Sequence, residues 1–131
     1  MDPKKPKILL VDDLEDVLAA LRRLLKSCDL LEARDGRAAL ELAASEKPDM
    51  VLLDVHLPDM SGVDIMEKLA VLPHKPVVIM LTGDDTVETA GKALAAGAFA
   101  YITKPFEAKD LLEQVIKGLE FGEKERAKRG R

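Results

Sequence analysis

Met50-Val51-Leu52-Leu53-Asp54-Val55-His56-Leu57-Pro58 runs four apolar residues into a single carboxylate and then into a proline-bearing loop. An apolar run of that length with no polar alternation marks a strand covered on both faces, as in a parallel sheet. The same grammar recurs on either side. Ile8-Leu9-Leu10-Val11 ends in Asp12-Asp13, and the β-branched run Val77-Val78-Ile79-Met80-Leu81 ends in Thr82-Gly83. Two weaker runs complete the series: Leu30-Leu31-Glu32-Ala33, suited to an edge, and Phe99-Ala100-Tyr101-Ile102, which leads into Thr103-Lys104-Pro105.

Between these runs the pattern changes to a helical period. Leu14, Val17, Leu18, Leu21, Leu24 and Leu25 recur at that spacing. Asp35-Gly36 opens an alanine-rich helix to about Glu46, and Ile65, Met66 and Leu69 share one face after Gly62. Asp85-x-x-Glu88 has the form of a helix-start box for an alanine-rich helix reaching Ala96. Leu112, Val115, Ile116 and Leu119 mark a last helix after Pro105. Five strands alternating with five helices predict an α/β domain, a parallel sheet with helices on both faces.

The bulk properties set limits. The 131 residues suit one domain, and 47% hydrophobic with 34% charged residues is an ordinary balance for a globular chain. No apolar run approaches the roughly 20 residues that span a bilayer. Met1-Asp2-Pro3-Lys4-Lys5-Pro6 has no apolar segment behind its charges, so no secretory signal is expected and a cytoplasmic location is. Cys28, the single cysteine, reads as a helix-end packing residue and excludes an internal disulfide. A net charge of −4 argues against direct nucleic-acid binding. Residues 1–6 read as an N-terminal extension, 7–120 as the domain, and 121–131 as a basic tail or the start of a linker, with Gly118 and Gly122 as linker-compatible glycines.

Ligands of open parallel sheets bind beyond the carboxyl ends of the strands. Asp12, Asp13, Asp54, Thr82 and Lys104 all stand there. Each has a plainer reading alone: Asp13 as a helix cap, Asp54 as a turn starter, Thr82 as a strand-end hydroxyl on backbone, Lys104 as a solvated cation. Together those readings require several coincidences at one rim. Like charges about 4 Å apart repel by roughly 4 kcal/mol at an effective dielectric near 20. Three carboxylates therefore call for a counterion beyond Lys104. A hard divalent cation with oxygen ligands suits them, Mg2+ or otherwise Mn2+.

Val11-Asp12-Asp13, Leu53-Asp54 with Pro58 and Ser61-Gly62, Leu81-Thr82-Gly83 and Lys104-Pro105-Phe106, in that order, resemble the receiver domains of two-component response regulators. The likeness runs from about Lys7 to Leu119. It implies a flavodoxin-like (βα)5 fold with strand order 2-1-3-4-5. It implies Asp54 as phosphoacceptor, Asp13 as a direct metal ligand, Asp12 acting through a metal-bound water, and the backbone carbonyl of His56 as the third protein ligand. Lys104, held by a cis bond to Pro105, and Thr82 would each meet a phosphoryl oxygen. Thr82 and Tyr101 would form the switch, acting on a face made of the fourth helix, fifth strand and fifth helix. His56 and Asp84 would border the path of attacking water and so tune the signal's lifetime. The implied donor is a sensor histidine kinase or a histidine phosphotransfer protein. An output domain C-terminal to this segment and a phosphorylation-dependent homodimer are further expectations.

The chain would promote its own phosphorylation and dephosphorylation without being an enzyme for a separate substrate. A degenerate receiver, serving only as a docking module, would lack acidic or acceptor residues that are present here. An aspartate-nucleophile phosphatase would want Asp-x-Asp after the first strand, and a flavin carrier a phosphate-cradling loop there. Asp12-Asp13-Leu14-Glu15-Asp16 fits neither.

Overall fold

The computed structural model describes residues 5–129; residues 1–4 of the expected N-terminal extension, and Gly130 and Arg131, lie outside them. Strands β1 (Lys7–Val11), β2 (Asp29–Ala33), β3 (Met50–Leu53), β4 (Val77–Thr82) and β5 (Ala100–Thr103) alternate with helices α1 (Glu15–Leu24), α2 (Gly36–Glu46), α3 (Gly62–Ala70), α4 (Val87–Ala95) and α5 (Ala108–Arg129). All strand pairings are parallel, in the order β2-β1-β3-β4-β5, as expected.

Successive strand residues point to opposite faces, and the apolar runs fill both. Leu9, Val11, Val51, Leu53, Val78 and Met80 meet α2, α3 and α4 through Ala39, Ala43, Ile65, Leu69 and Ala93. Ile8, Leu10, Leu52, Ile79 and Leu81 face α1 and α5 through Leu18, Leu21, Leu111 and Val115. The runs lack polar alternation because neither side of β1, β3 or β4 meets water. The weaker runs β2 and β5 hold the two edges. Cys28 is half-buried beside the α1 and α5 core. Among the described residues no helix is long and apolar enough to cross a membrane.

Two local expectations are corrected. Helix α4 is capped not at Asp85 but at Thr86, whose hydroxyl accepts from the Thr89 N–H. Residues 121–129, read as tail or linker, continue α5 without a break. The two linker-like glycines are what allow it. A Cβ on Gly118 would lie 2.6 Å from Met50 Cε, and one on Gly122 would lie 2.8 Å from Val77 Cγ2. The missing side chains let the helix settle onto the base of β3 and β4. Phe121 stacks near Phe99 at 5.4 Å, Arg126 reaches Asp49 at 3.5 Å, and Arg129 donates to the His74 carbonyl. The helix is held by contacts three and four residues apart on one face, a period that charged neighbours hide in the sequence.

Candidate functional site

Backbone pairing continues one residue past the strand ends and carries the polar residues to one rim. Asp12 N–H donates to Ala33 O (3.1 Å), Asp54 N–H to Val11 O (3.1 Å), and Lys104 N–H to Thr82 O (2.7 Å). Carboxylate oxygens of Asp12, Asp13 and Asp54 consequently lie within 4.8 Å of one another. Lys104, followed by a cis peptide to Pro105, places Nζ 2.6 Å from Asp12 Oδ2 and 3.1 Å from Asp54 Oδ2.

The three carboxylates are not equivalent. Asp12 is 2% exposed and both its oxygens are engaged, Oδ1 by the Leu14 N–H at 2.9 Å and Oδ2 by Lys104. Asp54 is 6% exposed, with one oxygen bonded by the His56 N–H at 3.1 Å and the other by Lys104. Asp13 is exposed and, among the described residues, its side chain accepts no hydrogen bond, so its oxygens are open toward the rim. It does not cap α1, whose N-cap position is Leu14.

Burial pushes the Asp12 carboxyl up, outweighing the bonds from Lys104 and Leu14. Burial also works against the Lys104 ammonium, but its bond to Asp12 and the charges of Asp54 and Asp12 prevail and hold it above its ordinary value. Burial thus raises Asp12, while Asp12 and Asp54 together hold up Lys104, so the one ammonium already answers two carboxylates and Asp13 stands beside them. The donor set is entirely oxygen, crowded and under-neutralised, which fits a hard divalent cation.

Thr82 is fully buried at the end of β4. Its hydroxyl accepts from the Asp84 N–H at 3.2 Å and, among the described residues, makes no bond to Asp54 or Lys104. This is the plainer of its two sequence readings. Tyr101 is half-buried, and its hydroxyl donates to the Asp84 carbonyl at 2.5 Å, so β5 is joined to the loop after Thr82. Burial and the Asp84 charge push the phenol up.

His56 and Asp84, taken separately in the sequence as neighbours of a water path, bond each other directly, with Nε2 2.8 Å from Oδ2. The Thr86 backbone N–H, the Thr86 hydroxyl, His56 and Thr89 pull the Asp84 carboxyl down to about 2. Sequence reasoning missed Thr86 and Thr89 in this role, and also Asp59, which accepts from the Gly36 N–H (2.7 Å) and the Arg37 N–H (3.0 Å). Only an Asx-type pattern two residues before Thr86 could have pointed to the first pair. The loop after Asp54 closes tightly: Gly62 N–H donates to Val55 O at 2.6 Å, and a Cβ on Gly62 would lie 2.5 Å from Asp54 O.

Residues 8–116 match the family model described as the response regulator receiver domain. The chain is 40% identical over 116 residues to the probable transcriptional regulatory protein TcrX of Mycobacterium tuberculosis, covering 85% of this chain and 48% of that protein. It is 38% identical over 111 residues to the regulatory protein AtoC of Escherichia coli, covering 80% of this chain and 23% of that protein. The chain thus spans about half the length, or less, of these relatives. Among solved structures, the signal receiver domain of an HD domain-containing protein from Pseudomonas fluorescens superposes with a TM-score of 0.91 at 34% identity, covering 97% of this chain and 96% of that one. A CheY-like receiver domain protein from Methanospirillum hungatei gives 0.88 at 34% identity, covering 93% and 99%. With the fold, the acidic rim and these likenesses in agreement, the chain belongs to the response regulator receiver domain family.

Proposed function

We propose that this chain is a phosphorylation-controlled switch that takes a phosphoryl group on Asp54. The observation that carries the reading is the meeting of Asp12, Asp13, Asp54 and Lys104 at one rim, with charge left over for a divalent cation. A carboxylate oxygen of Asp54 attacks the phosphorus of a phosphohistidine on a sensor kinase or phosphotransfer protein. The phosphorus–nitrogen bond breaks, and the imidazole leaves with the electron pair and takes up a proton. Water later attacks the acyl phosphate and returns free phosphate. Charge in such transfers is spread over the equatorial oxygens, so fixed charges and positioning supply the catalysis.

Asp13, with its open carboxylate, and Asp54 would hold Mg2+ or Mn2+, with the His56 carbonyl as third ligand; Asp12, both oxygens engaged, would act through water. The cation supplies positive charge for the phosphoryl oxygens when bound. Lys104 pairs with one phosphoryl oxygen and Thr82 with another once its hydroxyl leaves the Asp84 N–H. Because Tyr101 is bonded to the carbonyl of that same Asp84, moving Thr82 and moving Tyr101 are coupled. Phosphorylation shifts the balance of two states of the α4-β5-α5 face only as far as it binds them differently. That face would act on an output domain, as the greater length of the regulatory relatives suggests, on a partner, or on a second copy. The His56–Asp84 pair lies at the rim and would slow water attack, setting the signal's lifetime.

The test is incorporation of phosphate from a small phosphodonor, acetyl phosphate, with Mg2+. We expect acid-stable, alkali-labile phosphate on wild type and none on Asp54→Asn of unchanged circular dichroism. A folded wild type that takes up no phosphate would instead favour a phosphorylation-independent docking module, and phosphate on Asp54→Asn would refute the acceptor.

A further inference from the structure

Asp59 lies outside the acidic rim, at the far tip of the loop between β3 and α3. Its carboxylate is bonded at both oxygens to another element. Oδ1 accepts from the Gly36 N–H at 2.7 Å and Oδ2 from the Arg37 N–H at 3.0 Å, the first two residues of α2. Those donors lack partners within their own helix, and they hold the Asp59 carboxyl below its ordinary value. The next residue, Met60, lies against Gly36 so closely that a Cβ there would fall 2.2 Å from Met60 Cγ. Asp35 already caps α2 through the Ala38 N–H at 2.8 Å, so Asp59 is a second and separate acceptor on the same helix end.

The other end of the loop is fixed as well. Gly62 N–H bonds Val55 O at 2.6 Å, and His56 pairs with Ser61 across the loop in an antiparallel bridge. His56 is therefore gripped between a closed base and a tethered tip. Its N–H holds Asp54 Oδ1 at 3.1 Å, so the loop's position sets the orientation of the acceptor carboxylate.

We infer that Asp59 is a positioning residue for the site: by fastening the loop tip to α2 it holds the His56 backbone, and through it Asp54, in the geometry that takes a divalent cation. This rests on the reading of the rim as a cation and phosphoryl site. The effect acts through chain geometry, since Asp59 touches neither Asp54 nor Lys104. Partners that orient metal ligands contribute about 10- to 100-fold in affinity, and a tether one step further out belongs at the lower end.

The experiment is a Mg2+ titration of the full chain followed by backbone amide shifts of Asp13, Asp54 and His56, with thermal melts run alongside. Asp59→Ala is expected to weaken Mg2+ binding by about tenfold, and Asp59→Asn, which keeps an acceptor oxygen, by less. Asp35→Ala is the control: it removes a cap from the same helix, so it lowers the melting temperature while leaving Mg2+ affinity near wild type. Should Asp59→Ala fold poorly, Asp59→Asn and Asp59→Ser carry the comparison. Mg2+ affinity within about twofold of wild type in the folded Asp59 variants, or an equal loss in Asp35→Ala, would overturn the inference. A wild type that shows no Mg2+-dependent shifts at the rim would fail the underlying site reading instead, a distinguishable result.

Discussion

Asp84 has its carboxylate oxygens shared among a backbone N–H, two hydroxyls and an imidazole, and its carboxyl lies at about 2 against an ordinary 3.8. A depressed carboxyl adds stability that is fully present above the unfolded value and is lost as pH falls through the folded one. Asp84 should thus support the β4–α4 loop fully above pH 3.8 and lose that contribution as the pH falls toward about 2. Carbon-13 titration of its carboxyl checks this, and Thr86→Val should move the midpoint upward; a wild-type midpoint at the ordinary value would contradict the bonding described. Lys104 gives the second residue-level prediction. Lys104→Met leaves Asp12 and Asp54 buried without their ammonium, a change of about 2–4 kcal/mol in urea melts without divalent cations. Added Mg2+ should stabilise this variant more than wild type, because the cation then answers all three carboxylates. Equal Mg2+ stabilisation of both would count against a shared site.

Among the elements, the loop from Asp54 to Gly62 is closed by backbone contacts at its base. The atoms that a Gly62 Cβ would meet are backbone, at 2.5 and 2.7 Å, and cannot rotate away. Gly62→Ala should therefore lose about 2–3 kcal/mol, measurable as a shift of the urea midpoint with unchanged slope. A loss below about 0.5 kcal/mol would show that the loop yields. The strands were legible because burial on both faces leaves an unbroken apolar run, and the rim followed from reading what stands after each run. Asp12, Asp13, Asp54 and Lys104 came together as the sequence implied. The α4 start was misplaced by one residue, because Asp85 and Thr86 are both competent caps and only the turn around Asp84 decides between them. Asp59 was invisible because its partners are backbone N–H groups 22 and 23 residues away, and backbone groups leave no mark in a sequence.

For the molecule as a whole, the helix that passes residue 120 is a part of the fold and not an appendage. Its basic, patternless end hid a docking strip of two glycines, one phenylalanine and two arginines. A chain ended after Glu120 forfeits the Phe99–Phe121 contact and uncovers Val77, and it should be less stable by about 1–2 kcal/mol. Trypsin should also cut at Lys124 and Arg126 more slowly in the folded protein than in a denatured chain; equal cutting would show that the end of α5 is loose. The ion pairs of Lys104 carry a last consequence. The lysine leaves an edge strand, yet its side-chain bonds go to groups following the first and third strands, passing over the fourth. It works as a crossbar over the end of the sheet, fastening the outermost strand sideways to the carboxylates that stand beyond β1 and β3.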